Sequence, residues 1–138
     1  MGSSPIRLDE VWAFCSARLD DDVRIARSVG FEHIEVVDYL WESKHLLLQG
    51  DSGSKSTGEL DAALAEHVAR HDPARVLAEV AWKRDQLAEH EPSLQAAERD
   101  GELTPMVVCA IDGDDCAFTM GLAALYDRHP DYQEEWRL

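Results

Sequence analysis

Cysteine and histidine residues provide the clearest metal-binding chemistry in this sequence. Cys109 and Cys116 are separated by six residues that include an acidic turn. Zinc in structural sites takes four thiolate or imidazole ligands in a tetrahedral arrangement. A Cys₂His₂ site would need two histidines in addition, drawn from His90, His45, His67 and His71. The alternative is that both cysteines behave as small buried apolar side chains, one in a strand and one in a helix.

A second pair of candidate metal ligands lies within one predicted helix. His67 and His71 are four residues apart, so one helical face presents both imidazoles. The pair lacks the glutamate that follows the first histidine in the metalloprotease motif. His71 also directly precedes Asp72-Pro73, where the helix is expected to break. Contacts with backbone carbonyls at a helix end are therefore the favoured interpretation, with a metal site as the alternative.

Two side chains depart from the pattern of the third predicted helix. Arg84 projects near the centre of its apolar stripe, so its guanidinium needs a carboxylate partner or must extend into solvent. A structural ion pair is favoured there over a ligand site. Trp82 projects to the opposite side, beside Lys83, and an exposed tryptophan is typical of an interaction hot spot. The alternative is that another element, such as a hairpin in residues 31–49, covers it.

No motif of a known enzyme class is present. The sequence contains no nucleophile elbow, phosphate-binding loop, dinucleotide-binding turn or kinase motif. We therefore expect a non-enzymatic protein. The least favoured alternative is an enzyme with an unfamiliar active site around His71, Asp72, Arg75 and Arg84. Together with Trp82 and Lys83, these four residues form the predicted partner-binding set. The acidic turn that begins at Asp112 lacks the ligand spacing of a calcium loop and is interpreted as solvated.

The charge of the chain restricts its partners. Its 138 residues include 28 acidic and 13 basic ones, for a formal net charge of −15. This charge opposes binding to nucleic acid and to anionic membranes. The predicted partner is therefore a protein, with imitation of the charge of DNA as one form of such binding. An odd number of cysteines, no secretory signal and no long apolar run predict a cytoplasmic protein without a membrane span.

The predicted elements place these residues in an α+β fold, a mainly helical single domain with a small β-hairpin or sheet. Residues 1–138 are expected to form one acidic globular domain, with a flexible loop at about 50–58. Ser56 and Glu59 form a capping box that predicts the start of the second helix. The predicted helices are 9–29, 57–71, 73–90, a short one at 93–100, 116–126 and a short one from His129 to Trp136, with a hairpin in 31–49 and a strand at 106–111.

Two stretches resemble a known family. They are the run from His67 to Arg84, which contains His-Asp-Pro-Ala-Arg-Val-Leu, and the ending His129-Pro-Asp-Tyr-Gln-Glu-Glu-Trp136. Both are similar to a family of small actinobacterial and actinophage proteins that is catalogued only as a domain of unknown function. The first predicted helix, from Val11 to Arg27, is similar as well. The resemblance implies a bacterial or phage protein and supplies no activity.

Overall fold

The computed structural model describes residues 6–39, 43–51, 53–113 and 115–137. These residues form an α+β fold that is mainly helical, as the sequence predicts. None of the helices in these ranges is long and apolar enough to cross a bilayer. The elements are α1 (Leu8–Ser28), β1 (His33–Tyr39), β2 (Ser43–Gly50), β3 (Gly53–Ser56), α2 (Ala62–Arg70), α3 (Pro73–Glu89), β4 (Pro92–Arg99), β5 (Glu102–Cys109), α4 (Ala117–Ala124) and a closing 3₁₀ helix (Glu134–Trp136).

The chain divides into two compact units. The first unit comprises Met1–Asp20 with Lys83–Leu138, and the second comprises Asp21–Trp82. Helices α1 and α3 each contribute residues to both units. All residues of the candidate metal centre described below lie in the first unit.

The second unit contains an antiparallel sheet in the order β1-β2-β3. The β1–β2 pair confirms the predicted hairpin, although its turn lies outside the described residues. The predicted loop at 50–58 instead contains β3, because Ser56 pairs with Leu47 of β2. Helix α2 therefore begins later than the capping box predicts. Its N-cap is Asp61, whose carboxylate accepts the Leu64 N–H at 3.3 Å.

The Asp72-Pro73 junction starts α3 as predicted. The Asp72 carboxylate accepts the Arg75 N–H at 2.9 Å, which is an N-cap bond, and the Ile34 N–H of β1 at 3.3 Å. Pro73 is buried at the first helical position, where a missing N–H costs nothing. The motif therefore connects the start of α3 to the sheet of the same unit.

An aromatic cluster in the first unit explains the closing motif of the sequence. The Phe14 ring of α1 lies 5.3 Å from the Trp136 ring and 5.8 Å from the His129 ring, both edge-on. Such edge-to-face pairs add to the stabilisation from burial. The remaining members are Tyr126 and Tyr132. The last predicted helix is only a 3₁₀ turn, which packs Trp136 against Phe14. This part of the sequence motif therefore has a structural role.

A second hairpin replaces the predicted helix at 93–100. Strand β4 pairs with β5 from Pro92–Cys109 to Arg99–Glu102. The connecting residues Asp100 and Gly101 have φ values of 53° and 81°. Two consecutive positive φ values fit the type I′ turn that tightly joined antiparallel strands favour. The sequence prediction was wrong here because this Asp-Gly pair was interpreted as a helix end.

Candidate metal centre

Four side chains of the first unit bring their donor atoms together. His90, Cys109, Asp112 and Cys116 each offer one ligand atom, and these atoms all lie within 4.8 Å of one another. The His90, Cys109 and Cys116 residues are buried. The Asp112 side chain is 37% exposed and closes the cluster on its solvent side. The arrangement has the composition of a zinc site with one carboxylate ligand.

The end of α3 positions His90. Its backbone N–H donates to the carbonyls of Gln86 and Leu87, at 3.2 and 3.1 Å, in the last turn of the helix. Its ring stacks on the Phe118 ring of α4 with centroids 4.7 Å apart and an angle of 18°. The backbone and the stacked ring together fix the imidazole, with Nδ1 directed at the two sulfurs. A ligand held in this way loses little freedom when it binds a metal.

A tight turn after β5 positions Cys109 and Asp112. Cys109 and Gly113 exchange two backbone hydrogen bonds, of 2.8 and 2.9 Å. Gly113 has a φ of 82°, a conformation that side chains with a Cβ rarely adopt. The turn folds Asp112 back towards the strand end, where its Oδ2 lies 3.4 Å from His90 Nδ1.

The start of α4 positions Cys116, which is the N-cap residue of that helix. Its carbonyl accepts the Met120 N–H at 3.0 Å, and its side chain makes no capping bond to the helix. The sulfur is therefore available to the cluster. Burial raises the pKa of the Cys116 thiol above its usual value and the neighbouring Cys109 adds to the rise, while hydrogen bonds from Thr119 act in the opposite direction. A coordinating metal would favour the thiolate form.

Four of the separations between the donor atoms are close to the edges of a tetrahedron around a metal. Zinc–sulfur bonds of about 2.3 Å and zinc–nitrogen or zinc–oxygen bonds of about 2.0–2.1 Å place sulfur about 3.6 Å from nitrogen or oxygen, and nitrogen about 3.4 Å from oxygen. His90 Nδ1 lies 3.3 Å from Cys109 Sγ and 3.4 Å from Cys116 Sγ. Asp112 Oδ2 lies 3.5 Å from Cys116 Sγ and 3.4 Å from His90 Nδ1. These four separations are compatible with a single bound ion, and the two remaining separations are at most 4.8 Å.

The predicted ligands only partly coincide with this cluster. The structure brings together Cys109, Cys116 and His90, as the sequence suggests. The fourth member is Asp112, and the expectation of a second histidine is wrong for this cluster. His45 lies in β2 instead, with Nδ1 at 3.1 Å from the Thr57 carbonyl. A carboxylate three residues after one cysteine and four before the other was the available signal, but the acidic turn was interpreted as solvated.

The His67–His71 pair has the carbonyl contact that was favoured for it. His71 Nδ1 donates to the His67 carbonyl at 2.8 Å, which caps the end of α2. The two rings lie 4.5 Å apart, and both residues are exposed. His71 also lines an apolar groove of the second unit, together with Ile25, Val29, Ile34, Pro73 and Val76.

Most of the predicted partner-binding residues make contacts within the protein. Arg84 pairs with Asp20 of α1, which agrees with the structural ion pair favoured from the sequence. Arg75 donates to Glu79 at 2.8 Å and to the Arg70 carbonyl at 3.1 Å. Trp82 differs, because 59% of its surface is exposed, and Lys83 beside it is partly exposed. The suggested cover for Trp82 is thus absent from the described residues.

Comparison with known proteins places the chain in a family without assigning an activity. No curated protein and no solved structure matches it. One family model matches residues 8–138, which is nearly the whole chain. The protein therefore belongs to DUF6221, a family of unknown function.

Proposed function

We propose that this protein is a small zinc-binding domain that holds one Zn²⁺ through His90, Cys109, Asp112 and Cys116. The observation that carries the proposal is the convergence of four donor atoms, all within 4.8 Å of one another, from three separate parts of the chain. Two sulfurs, an imidazole and a carboxylate thereby meet at one largely buried point.

The donor set favours zinc over the common alternatives. Two thiolates and an imidazole are soft or intermediate ligands, which suit zinc far better than calcium or magnesium. Calcium takes six to eight oxygen ligands, and this cluster offers one carboxylate. Four protein ligands, three of them buried, also leave no open position for a substrate. The metal would therefore have a structural role.

The structural role follows from what the ligands connect. The metal would join the end of α3, the end of β5 and the start of α4 at one point. The β4–β5 hairpin begins two residues after His90 and ends at Cys109, so the ion would clamp its base. A two-stranded hairpin is marginally stable by itself in water, so such a clamp would stabilise it substantially.

Metal content is the experiment that tests this proposal. Protein purified in the presence of zinc is analysed by native mass spectrometry and elemental analysis. We expect about one zinc per chain, as a closed structural site requires. Cys116→Ser should abolish retention. Cys15→Ser is the matched control, because Cys15 is an equally buried cysteine of the first unit outside the cluster. Zinc retention by both variants, or by neither, would contradict the assignment.

A second candidate function is binding of a protein partner through the acidic surface. The specific observation in its favour is the exposed Trp82 in a chain of net charge −15. A bacterial or phage origin and a cytoplasmic location accompany this hypothesis as predictions from the sequence. Pull-down from an actinobacterial lysate at low and high salt tests it, with Trp82→Ala compared against Leu64→Ala. Leu64 is a suitable control because it is similarly exposed on α2.

A further inference from the structure

The β4–β5 hairpin exposes its more apolar face. Cross-strand partners lie on the same face of a sheet, so one face carries the pairs Leu94–Val107, Ala96–Pro105 and Glu98–Leu103, and at its base Pro92–Cys109 with the buried cysteine. The opposite face is more mixed, because Ser93 pairs with Val108 and Gln95 with Met106. Alternation of this kind normally turns the apolar face inward. Here both faces are exposed, because Leu103 is 77% and Leu94 is 70% exposed on the apolar face, and Ser93, Gln95 and Thr104 are exposed on the other.

These two leucines are the most exposed large apolar side chains in the described part of the chain. Their exposure shows that no other element of that part covers these two side chains. An exposed, contiguous apolar face is characteristic of an interaction surface. A two-stranded hairpin also needs a further layer, such as a packed helix, for stability of its own.

The charge around this face selects the kind of partner. Residues 91–102 contain four acidic residues, Glu91, Glu98, Asp100 and Glu102, and one basic residue, Arg99. Glu98 lies on the apolar face itself, opposite Leu103. A second copy of this chain would bring like charges together, since each carries −15. A partner whose apolar residues are flanked by lysine or arginine complements both the face and its charge.

We infer that the Leu94–Leu103 face of the β4–β5 hairpin is a docking surface for an amphipathic basic helix of a partner protein. The apolar stripe of the helix covers the two leucines, and its basic border meets Glu98 on the same face and Asp100 in the adjoining turn. This surface lies in the first unit and does not include Trp82. The inference goes beyond the proposed metal site, because docking requires the hairpin and no contact with the metal.

A model peptide tests this inference directly. The probe is a synthetic helix of about 18 residues, five helical turns, with a leucine stripe bordered by lysines. The control peptide has the same leucines bordered by glutamates. Binding is measured by fluorescence anisotropy, and the site is mapped by amide chemical shifts of the zinc-saturated full chain. We expect binding of the lysine peptide alone, with the largest shifts in residues 92–109.

Variants separate the apolar face from non-specific charge attraction. Leu94→Ser with Leu103→Ser leaves the net charge unchanged and should weaken binding about tenfold or more, since two exposed apolar anchors are lost. Leu125→Ser is the control, because Leu125 is a 66% exposed residue of the first unit outside the hairpin and outside the metal cluster. Circular dichroism and zinc content verify that each variant is folded.

Three outcomes would overturn the inference. One is equal binding by the double serine variant, which would indicate diffuse charge attraction only. Another is that the lysine peptide does not bind or shifts residues outside the hairpin. The third is that the free protein dimerises through this face in sedimentation experiments. Peptide binding by protein without zinc would leave this inference intact. The metal proposal would be contradicted separately, by failure of the protein to retain zinc when zinc is supplied.

Discussion

Two histidine-containing regions of this molecule look alike in sequence and differ in structure. The His67–His71 pair satisfies a spacing rule within one helix, yet both residues are exposed and no third ligand joins them within the described residues. The cluster around His90 satisfies no local rule, yet its atoms converge in a largely buried site. A metal site therefore depends on the elements that meet at it, and the spacing within one helix supplies only part of its ligands.

Loss of a cluster thiolate should have the largest effect. Cys116→Ser or Cys109→Ser removes a ligand from a tetrahedral set, so zinc is no longer retained. With zinc at 100 times its Kd, the native protein gains about 3 kcal/mol of unfolding free energy from binding. We expect the variants to lose this increment, which corresponds to roughly 10 °C in Tm for a domain of this size. Calorimetry with and without a chelator measures it. An unchanged Tm in the chelated native protein would contradict the structural role.

Loss of the exposed ligand should have a smaller effect. Asp112→Asn keeps the shape and an oxygen donor but removes the negative charge, so zinc should bind about 10- to 100-fold more weakly with unchanged stoichiometry. Competition with a chromophoric chelator measures the affinity. Asp115→Asn, in the same turn but outside the cluster, is the control. Equal affinities of the two variants would remove Asp112 from the ligand set.

Cys15, the buried cysteine outside the cluster, should make the unfolding free energy depend on pH. Burial raises the pKa of Cys15 from 9.0 to about 12. Because the folded state holds this proton more tightly than the unfolded state, its contribution is complete below pH 9 and is lost as the pH rises towards 12. We expect a loss of about 1 kcal/mol in unfolding free energy by pH 10 from this group. Urea unfolding of the native protein and Cys15→Ala measures the difference in slope. Parallel pH profiles would show that Cys15 does not titrate in this way.

The smallest effect is expected at the exposed histidine pair. His67→Ala with His71→Ala should leave zinc content unchanged and alter the unfolding free energy by about 0.5 kcal/mol or less, as for other surface substitutions. Elemental analysis and thermal unfolding measure both quantities. Loss of the bound zinc in this variant would reverse the comparison between the two regions.

The elements predicted from local patterns agree best with the structure. The apolar periodicity of α1 and the Asp72-Pro73 signal at α3 are properties of neighbouring residues, and both helices have nearly the predicted bounds. The errors at β3 and β4 arise where pairing with a distant strand overrides local preference. Residues Ala96–Arg99 have good helix propensity, but the positive φ values of Asp100 and Gly101 turn the chain back onto β5.

The candidate site was likewise predictable only where the chemistry of a single residue type points to it. Zinc-ligand chemistry places Cys109, Cys116 and His90 among the candidates, because few residue types bind this metal, but it leaves His45, His67 and His71 open beside His90. Asp112 could not be selected in that way, because the chain has 28 acidic residues and most of them have no ligand role. Only the turn closed by the Cys109–Gly113 backbone pair directs this particular carboxylate to the sulfurs.

X-ray absorption at the zinc edge of the purified, zinc-loaded protein identifies the atoms that bind the metal. We expect a mixed shell of two sulfurs at about 2.3 Å and two nitrogen or oxygen atoms at about 2.0–2.1 Å. The sulfur shell should disappear in Cys109→Ser with Cys116→Ser. A native spectrum with nitrogen and oxygen neighbours alone would contradict the account, because it would place the metal on exposed histidines and carboxylates.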